Sequence, residues 1–175
     1  MTLNQIMRRI PYTEFEHVEV LFNELADIKK IGYLTKSQLI SILRLKSDRP
    51  LNHYQRNTDY NTRLTTALSF STNNDRLKIH ILTSLYGVGY PAASTILMFY
   101  DKKRFPIIDI RAWRQLHRLK LVTTNPNGVN FKLHECEEYF SRIRSIAQKY
   151  ACTARAVEKR LYDYDISTQE NTLYN

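Results

Sequence analysis

LYGVGYPAASTIL, residues 85–97, holds two of the four glycines in the chain, one residue apart, and then turns directly into a helical pattern. Glycines around a small apolar residue let the backbone take positive φ angles and turn several N–H groups the same way. Pro91 suits the first turn of a helix, where its missing N–H has no intrahelical acceptor to lose. Ala92, Ala93 and Ser94 are small enough for a second helix to approach closely, with Ile96 and Leu97 behind them for the core. The stretch predicts a hairpin of two helices over residues 77–100. The unsatisfied N–H groups and positive dipole end of the second helix then sit at the turn, an arrangement suited to a phosphate. A glycine turn joining two packed helices with no ligand fits the same letters.

Helical periodicity dominates on both sides of this stretch. FEHVEVLFNELADIKK sets Phe15, Val18, Leu21, Phe22, Leu25 and Ile28 on one stripe, predicting a helix over 14–29 that ends near Gly32. TKSQLISILRLK has Thr35 as its N-cap and Leu39, Ile40 and Leu43 inward, with Pro50 ending the run. Leu64, Ala67, Leu68 and Phe70 carry a helix over 59–70, and an Asn/Asp start opens another with Leu77, Ile81, Leu82 and Leu85 on one face. A further helix runs from Asp109 to about Leu119. TTNPNGVN, residues 123–130, is a turn-rich loop, or a short hairpin around Asn125–Gly128. Helices near 133–150 and 153–163 close the chain, and the last ten residues read as frayed. In ARAVEKRLYDY, residues 154–164, Val157 and Leu161 face the core while Arg155, Lys159 and Arg160 face solvent or a polyanion. The fold class is all-α, a compact helical bundle in a single domain over residues 1–175, with room for two lobes around a groove.

Charge gives the first functional indication. The net charge is +9, and residues 101–120 hold seven basic side chains against two acidic ones, a local excess of five. Such a surface attracts polyanions: DNA, RNA or an acidic membrane. No stretch approaches the roughly 18 apolar residues of a membrane span, and the N-terminus lacks the apolar run of a signal peptide, so a cytoplasmic protein is expected, nucleoid-associated in a prokaryote. Cys136 and Cys152 make no disulfide framework, and HECEE, residues 134–138, reads as acidic residues in a helix's first turn rather than as a metal site. No cofactor is expected.

LYGVGYPAASTIL and the MFYDKKRFPIIDIRAW that follows it without a gap resemble the helix-hairpin-helix superfamily of base-excision DNA glycosylases (HhH-GPD), the relatives of endonuclease III, adenine glycosylase and the alkylpurine glycosylases. The resemblance covers residues 85–114. It implies a DNA-glycosylase-like helical fold with DNA as partner. It also implies that Gly87, Val88 and Gly89 are backbone donors to a DNA phosphate, often beside a monovalent cation held by the hairpin backbone, and that Asp109 is the catalytic carboxylate. Tyr86 and Tyr90 flank the hairpin, resting against DNA or simply standing at a surface turn. Lys102, Lys103 and Arg104 are expected to flank the site and add salt-sensitive attraction to the DNA backbone. Arg111 and Arg114 either meet phosphate or form a solvated basic face. Trp113 packs in the core or stacks on a base. Bifunctional members carry a lysine at the position of Pro91, so monofunctional chemistry is expected here. Asp109-Ile110-Arg111 replaces the aspartate-threonine-histidine of many members, and the four iron-sulfur cysteines are absent.

A carboxylate beside C1′ can stabilise the oxocarbenium character of N-glycosidic cleavage or orient water. The base must first leave the duplex for a pocket with aromatic walls, which twelve tyrosines and seven phenylalanines can supply. Asp109 is also a natural N-cap, and capping and catalysis are compatible. The expectation is a base-excision repair protein, a monofunctional glycosylase acting on a damaged or unusual base. The alternative is a non-catalytic helix-hairpin-helix DNA-binding module.

Overall fold

A computed structural model describes residues 1–168. In chain order these form α1 (Leu3–Arg9), α2 (Glu16–Glu24), α3 (Ile28–Ile31), α4 (Lys36–Lys46), α5 (Leu51–Tyr54), α6 (Asp59–Ser71), α7 (Asp75–Leu82), α8 (Tyr90–Tyr100), α9 (Ile110–Arg118), α10 (Leu133–Lys149) and α11 (Ala154–Thr168). No strand occurs among the described residues, and 123–130 is turn and coil rather than a hairpin of strands. Of the ten terminal residues expected to fray, 166–168 continue α11 and the rest lie outside the described residues.

Several helix starts are written locally. Thr35 caps α4 in a reciprocal box: its Oγ1 accepts the Gln38 N–H at 3.3 Å while Gln38 Oε1 accepts the Thr35 N–H at 2.9 Å. Thr58 caps α6 and Asn74 caps α7 by the one-way bond, their side chains accepting the N–H groups of Asn61 and Leu77. The helix expected over 14–29 divides into α2 and α3. The chain leaves helical geometry at 25–27, so that Leu25 and Ile28 both reach the core, and α3 stops at Gly32 with φ +83°.

The α6–α7 pair also departs from the apolar pattern. Thr62, Thr66 and Ser69 are buried on α6 together with Phe70, while Leu64, Leu68 and Leu77 are exposed. Specific hydrogen bonds make the polar face the inner one: Thr66 Oγ1 accepts the Leu34 N–H at 2.9 Å, and Ser69 Oγ donates to the Lys78 carbonyl at 2.8 Å. Lys78 itself is buried, its ammonium donating to the carbonyls of Ser69 and Phe70 at the end of α6.

α8 is the central element. Every residue from Ala92 to Phe99 is buried, the pattern of a helix surrounded on all sides, with α4 and α7 against it. The chain then doubles back. From Ser94 to Asp101, α8 advances ~10 Å; a turn at 102–104 reverses direction, and 105–109 returns until the Ile108 N–H donates to Ser94 Oγ at 2.8 Å. Tyr139 on α10 holds this return segment by donating its hydroxyl proton to the Ile107 carbonyl at 2.9 Å. The separation of Gly89 from Asp109 in sequence is therefore a helix out and a segment back, and it leaves Asp109 near the N-terminal half of α8. The turn also closes the start of α11, since the carbonyls of Lys102 and Lys103 accept the amides of Arg155 and Ala154, both at 3.1 Å. α9 and α10 pack on α11, and Trp113 is buried in the core, its indole N–H donating to the Asn125 carbonyl at 2.8 Å.

Candidate active site and glycine turn

The turn between α7 and α8 is anchored by its apolar residues and open at its glycines. Leu85 and Val88 are buried, whereas Gly87 and Gly89 are exposed. Only Gly87 uses the left-handed region, at φ +79°; Gly89 is the N-cap of α8 with φ −87° and ψ 178°, so the expected pair of positive φ angles is one. A Cβ on Gly87 would lie 2.8 Å from the buried Tyr54 ring, while one on Gly89 would meet nothing closer than Pro91 Cδ at 4.0 Å. Among the described residues the amides of Gly87, Gly89 and Tyr90 have no protein acceptor, but the Val88 N–H donates to the Leu85 carbonyl at 3.1 Å. Val88 is thus an anchor, and the outward donors are the two glycines and Tyr90.

Asn57, which the sequence reading passed over, straps this turn from behind. It is buried, its Oδ1 accepts the Tyr86 N–H at 2.8 Å, and its Nδ2 donates to the carbonyls of Tyr86 at 3.1 Å and Tyr54 at 3.0 Å. Arg56 lies 4.2 Å over the exposed Tyr86 ring, and Tyr90 shares a hydrogen bond with His80 at 3.1 Å. The carbonyls of Leu85 and Tyr86 each accept one protein N–H.

The basic run is dispersed. Lys102, Lys103 and Arg104 do not flank the turn: the length of α8, ~16 Å, separates them from it. Lys102 sits 4.5 Å over the Phe22 ring and Arg104 pairs with Asp75 at 3.0 Å. Arg111 and Arg118 both reach the buried carboxylate of Asp165, at 3.2 and 3.7 Å, tying α9 to α11. Arg114 is half-buried and Lys103 exposed. Two distant acids, Asp75 and Asp165, thus meet three of the basic side chains, while Lys29 and Lys46 meet Asp101 and Asp109, so the pairs redistribute the positive excess without cancelling it.

Asp109 caps α9, its Oδ1 accepting the Arg111 N–H at 2.9 Å, and its Oδ2 receives Lys46 Nζ at 2.7 Å. It also lines a cavity of about 170 Å³ whose walls include Phe15, Met98, Phe99 and Tyr162 and whose polar groups include Lys46, Arg155, Glu158 and Lys159. Arg155 and Lys159 were expected to face solvent or DNA; both are buried. Arg160 is partly buried and donates to the Ile10 carbonyl at 3.0 Å. The correction has a simple origin. Arg155, Glu158, Lys159 and Tyr162 share one face of α11 at helical spacing, and a polar stripe reads identically whether water or a cavity lies in front of it.

The buried charges are paired. Arg155 makes two bonds to Glu14, at 2.8 and 2.9 Å, and contacts Glu158 one turn along α11. Lys159 holds Asp163 at 2.6 Å and lies 4.2 Å over the Phe15 ring. Burial, aided by the negative charge of Asp109 and opposed by Arg155, lifts the Glu158 carboxyl to about 7. For Glu14 burial acts upward too, but the Arg155 hydrogen bond and charge outweigh it and hold the carboxyl below its ordinary value. The site thus has two carboxyls of different character: Asp109 against an ammonium, and Glu158 deep in the wall. Among the described residues no three His, Cys, Asp or Glu side chains converge to hold a metal ion, and no helix is long and apolar enough to cross a membrane. Burial pushes the Cys136 thiol up to about 12, which leaves it a packing residue. No protein family, curated protein or solved structure matches the chain.

Proposed function

We propose that this protein binds duplex DNA through the glycine turn and hydrolyses the N-glycosidic bond of a damaged or unusual base at Asp109, as a monofunctional member of the helix-hairpin-helix glycosylase type its sequence resembles. The observation that carries the reading is the Asp109 carboxylate, positioned by the α9 cap and the Lys46 ammonium on the wall of an aromatic-lined cavity. Phe15, Phe99 and Tyr162 offer the apolar surfaces that an extruded base needs, and the carboxylate faces the cavity where positive charge would develop on the sugar. The outward amides of Gly87, Gly89 and Tyr90 at the start of α8 support phosphate binding. With proline at residue 91, water is the acceptor of the sugar.

A non-catalytic DNA-binding module is the second reading. One observation favours it: the cap to Arg111 and the ion pair to Lys46 give both Asp109 oxygens a structural task. The separating experiment incubates the parent protein and Asp109→Asn with labelled duplexes carrying uracil, hypoxanthine, alkylated and oxidised bases, followed by alkaline cleavage of abasic sites. Asparagine caps a helix about as well as aspartate, so the variant keeps the α9 cap and loses only the Lys46 ion pair. Strand breaks from the parent alone support hydrolysis; salt-dependent duplex binding without breaks from either protein supports the module.

A further inference from the structure

The outer face of α6 has a composition that runs against its exposure. Thr62, Thr66 and Ser69 are buried, each hydroxyl bonded within the fold, while Tyr60, Leu64 and Leu68 stand 73%, 46% and 53% exposed. Spaced four residues apart, these three form one stripe along the helix. The Ser69–Lys78 hydrogen bond sets the first turn of α7 beside the last turn of α6, and with it Leu77, 51% exposed. The four side chains leave on the order of 400 Å² uncovered, mostly apolar, the size of patch that marks a contact. A standard interface buries about 800 Å² per partner, somewhat over half of it apolar, so the patch comes close to the apolar area that a stable dimer needs.

Charge decides what covers it. From residue 60 to 74 the only charged side chain is Arg63, and it is held by Asp59 at 2.5 Å and by the Tyr33 hydroxyl at 2.9 Å. At the α7 end Arg76 pairs with Glu137, and Asp75 with Arg104 and Arg144. The patch is therefore neutral and these rim charges are engaged within the chain, although the net charge is +9. A nucleic-acid contact needs cations along the backbone. A helix lying on an acidic membrane carries Lys and Arg on its polar side, where α6 has buried Thr and Ser. Two copies of a +9 chain repel each other through their basic surfaces, and the neutral patch is where they can meet.

We propose that the outer face of α6, with Leu77 of α7, is a dimer interface on which a second copy of this chain packs about a two-fold axis through Leu64. The even spacing of the stripe makes it self-complementary. With the two α6 helices antiparallel, Leu64 meets Leu64 of the second copy, and Tyr60 of each copy meets Leu68 of the other. The Asp109 cavity takes no wall from α6 or α7, so the association is independent of the glycosylase reading.

Sedimentation velocity of the full chain from about 1 to 500 µM reads the association, and a patch of this size predicts half-association at roughly 10–100 µM. Added salt should strengthen the dimer, because it screens the repulsion between the two copies, whereas it weakens attachment to DNA. Leu64→Glu sets like charges against each other on the axis and should weaken association by about a hundredfold or more. That side chain already faces water, so the variant's melting midpoint should match the parent's. If the midpoint falls instead, Tyr60→Lys, at the most exposed ring of the stripe, reads the same face. Leu68→Glu should also dissociate the dimer, and adding Tyr60→Lys to the same chain should restore it. The antiparallel register places the two introduced charges opposite each other between copies but ~12 Å apart within one. A parent that stays monomeric at about 500 µM, a dimer that salt weakens, a dimer indifferent to Leu64→Glu or Leu68→Glu, or a double variant that stays monomeric overturns the proposal. Base release, or its absence, bears only on the glycosylase reading.

Discussion

Gly87 and Gly89 make the sharpest test of what the turn is for, because the structure gives the two glycines opposite reasons to be there. Alanine at 87 would occupy the left-handed region, at a cost of roughly 1–2 kcal/mol. Its Cβ would also lie 2.8 Å from Cδ1 of Tyr54, a ring with 1% of its surface exposed and no room to retreat. Overpacking of that kind adds about 1–3 kcal/mol. A total near 3 kcal/mol lowers the melting midpoint of a chain of this size by about 10 °C. Alanine at 89 is compatible with φ −87° and meets only Pro91 Cδ at 4.0 Å. Its weaker N-capping is offset by the lower entropy of the unfolded chain, and the net change should stay within about 0.5 kcal/mol. If the turn's amides hold a phosphate, however, a Cβ at 89 stands between backbone and ligand, and loss of one such hydrogen bond weakens duplex binding by about tenfold. Thermal unfolding and fluorescence anisotropy with a labelled duplex read the two effects separately. A Gly87→Ala midpoint within 2 °C of the parent would refute the packing argument. A Gly89→Ala protein that is stable and binds duplex like the parent would refute close approach of a phosphate.

Three further outcomes are expected. Asn57→Ala removes three hydrogen bonds from a buried position, two to Tyr86 of the turn and one to Tyr54 of α5, and should cost about 2–3 kcal/mol in denaturant unfolding; a loss under 1 kcal/mol would show that the turn holds its shape without the strap. Glu158 is raised from an ordinary value of 4.5 to about 7, so its contribution to stability is complete below 4.5 and gone above 7, a change of about 3 kcal/mol. The parent should melt higher at pH 5 than at pH 8, and Glu158→Gln should remove most of that difference; a parent midpoint that rises from pH 5 to 8 contradicts the burial assigned to this carboxyl. Borohydride should trap no covalent adduct with an abasic duplex, and trapping abolished by Lys46→Met, the lysine 2.7 Å from Asp109, would end the monofunctional assignment.

Local physics carried most of the helices into the sequence. Thr35, Thr58 and Asn74 announce their helices because a cap is a hydrogen bond to an amide two or three residues away. Asp109 was visible as a cap for the same reason and as a candidate carboxylate only through the resemblance, and the structure adds the cavity in front of it. Lys46 carried no signal, since its partner is 63 residues along the chain. Leu64, Leu68 and Leu77 mislead any reading by hydrophobic pattern, because Thr66 and Ser69 face inward to satisfy backbone groups of other segments.

By itself the sequence determined that the chain is helical, that a glycine turn precedes a largely apolar helix, and that an aspartate opens the helix after it. These are short-range facts of backbone geometry, capping and periodicity. Tertiary structure alone decided which charges are free and which are paired. It sent Arg104 and Arg111 to carboxylates elsewhere in the chain and turned Arg155, Glu158 and Lys159 from an apparent solvent face into the wall of the Asp109 cavity. A charge's role depends on dielectric and on the nearest opposite charge, and neither is a property of neighbours in sequence.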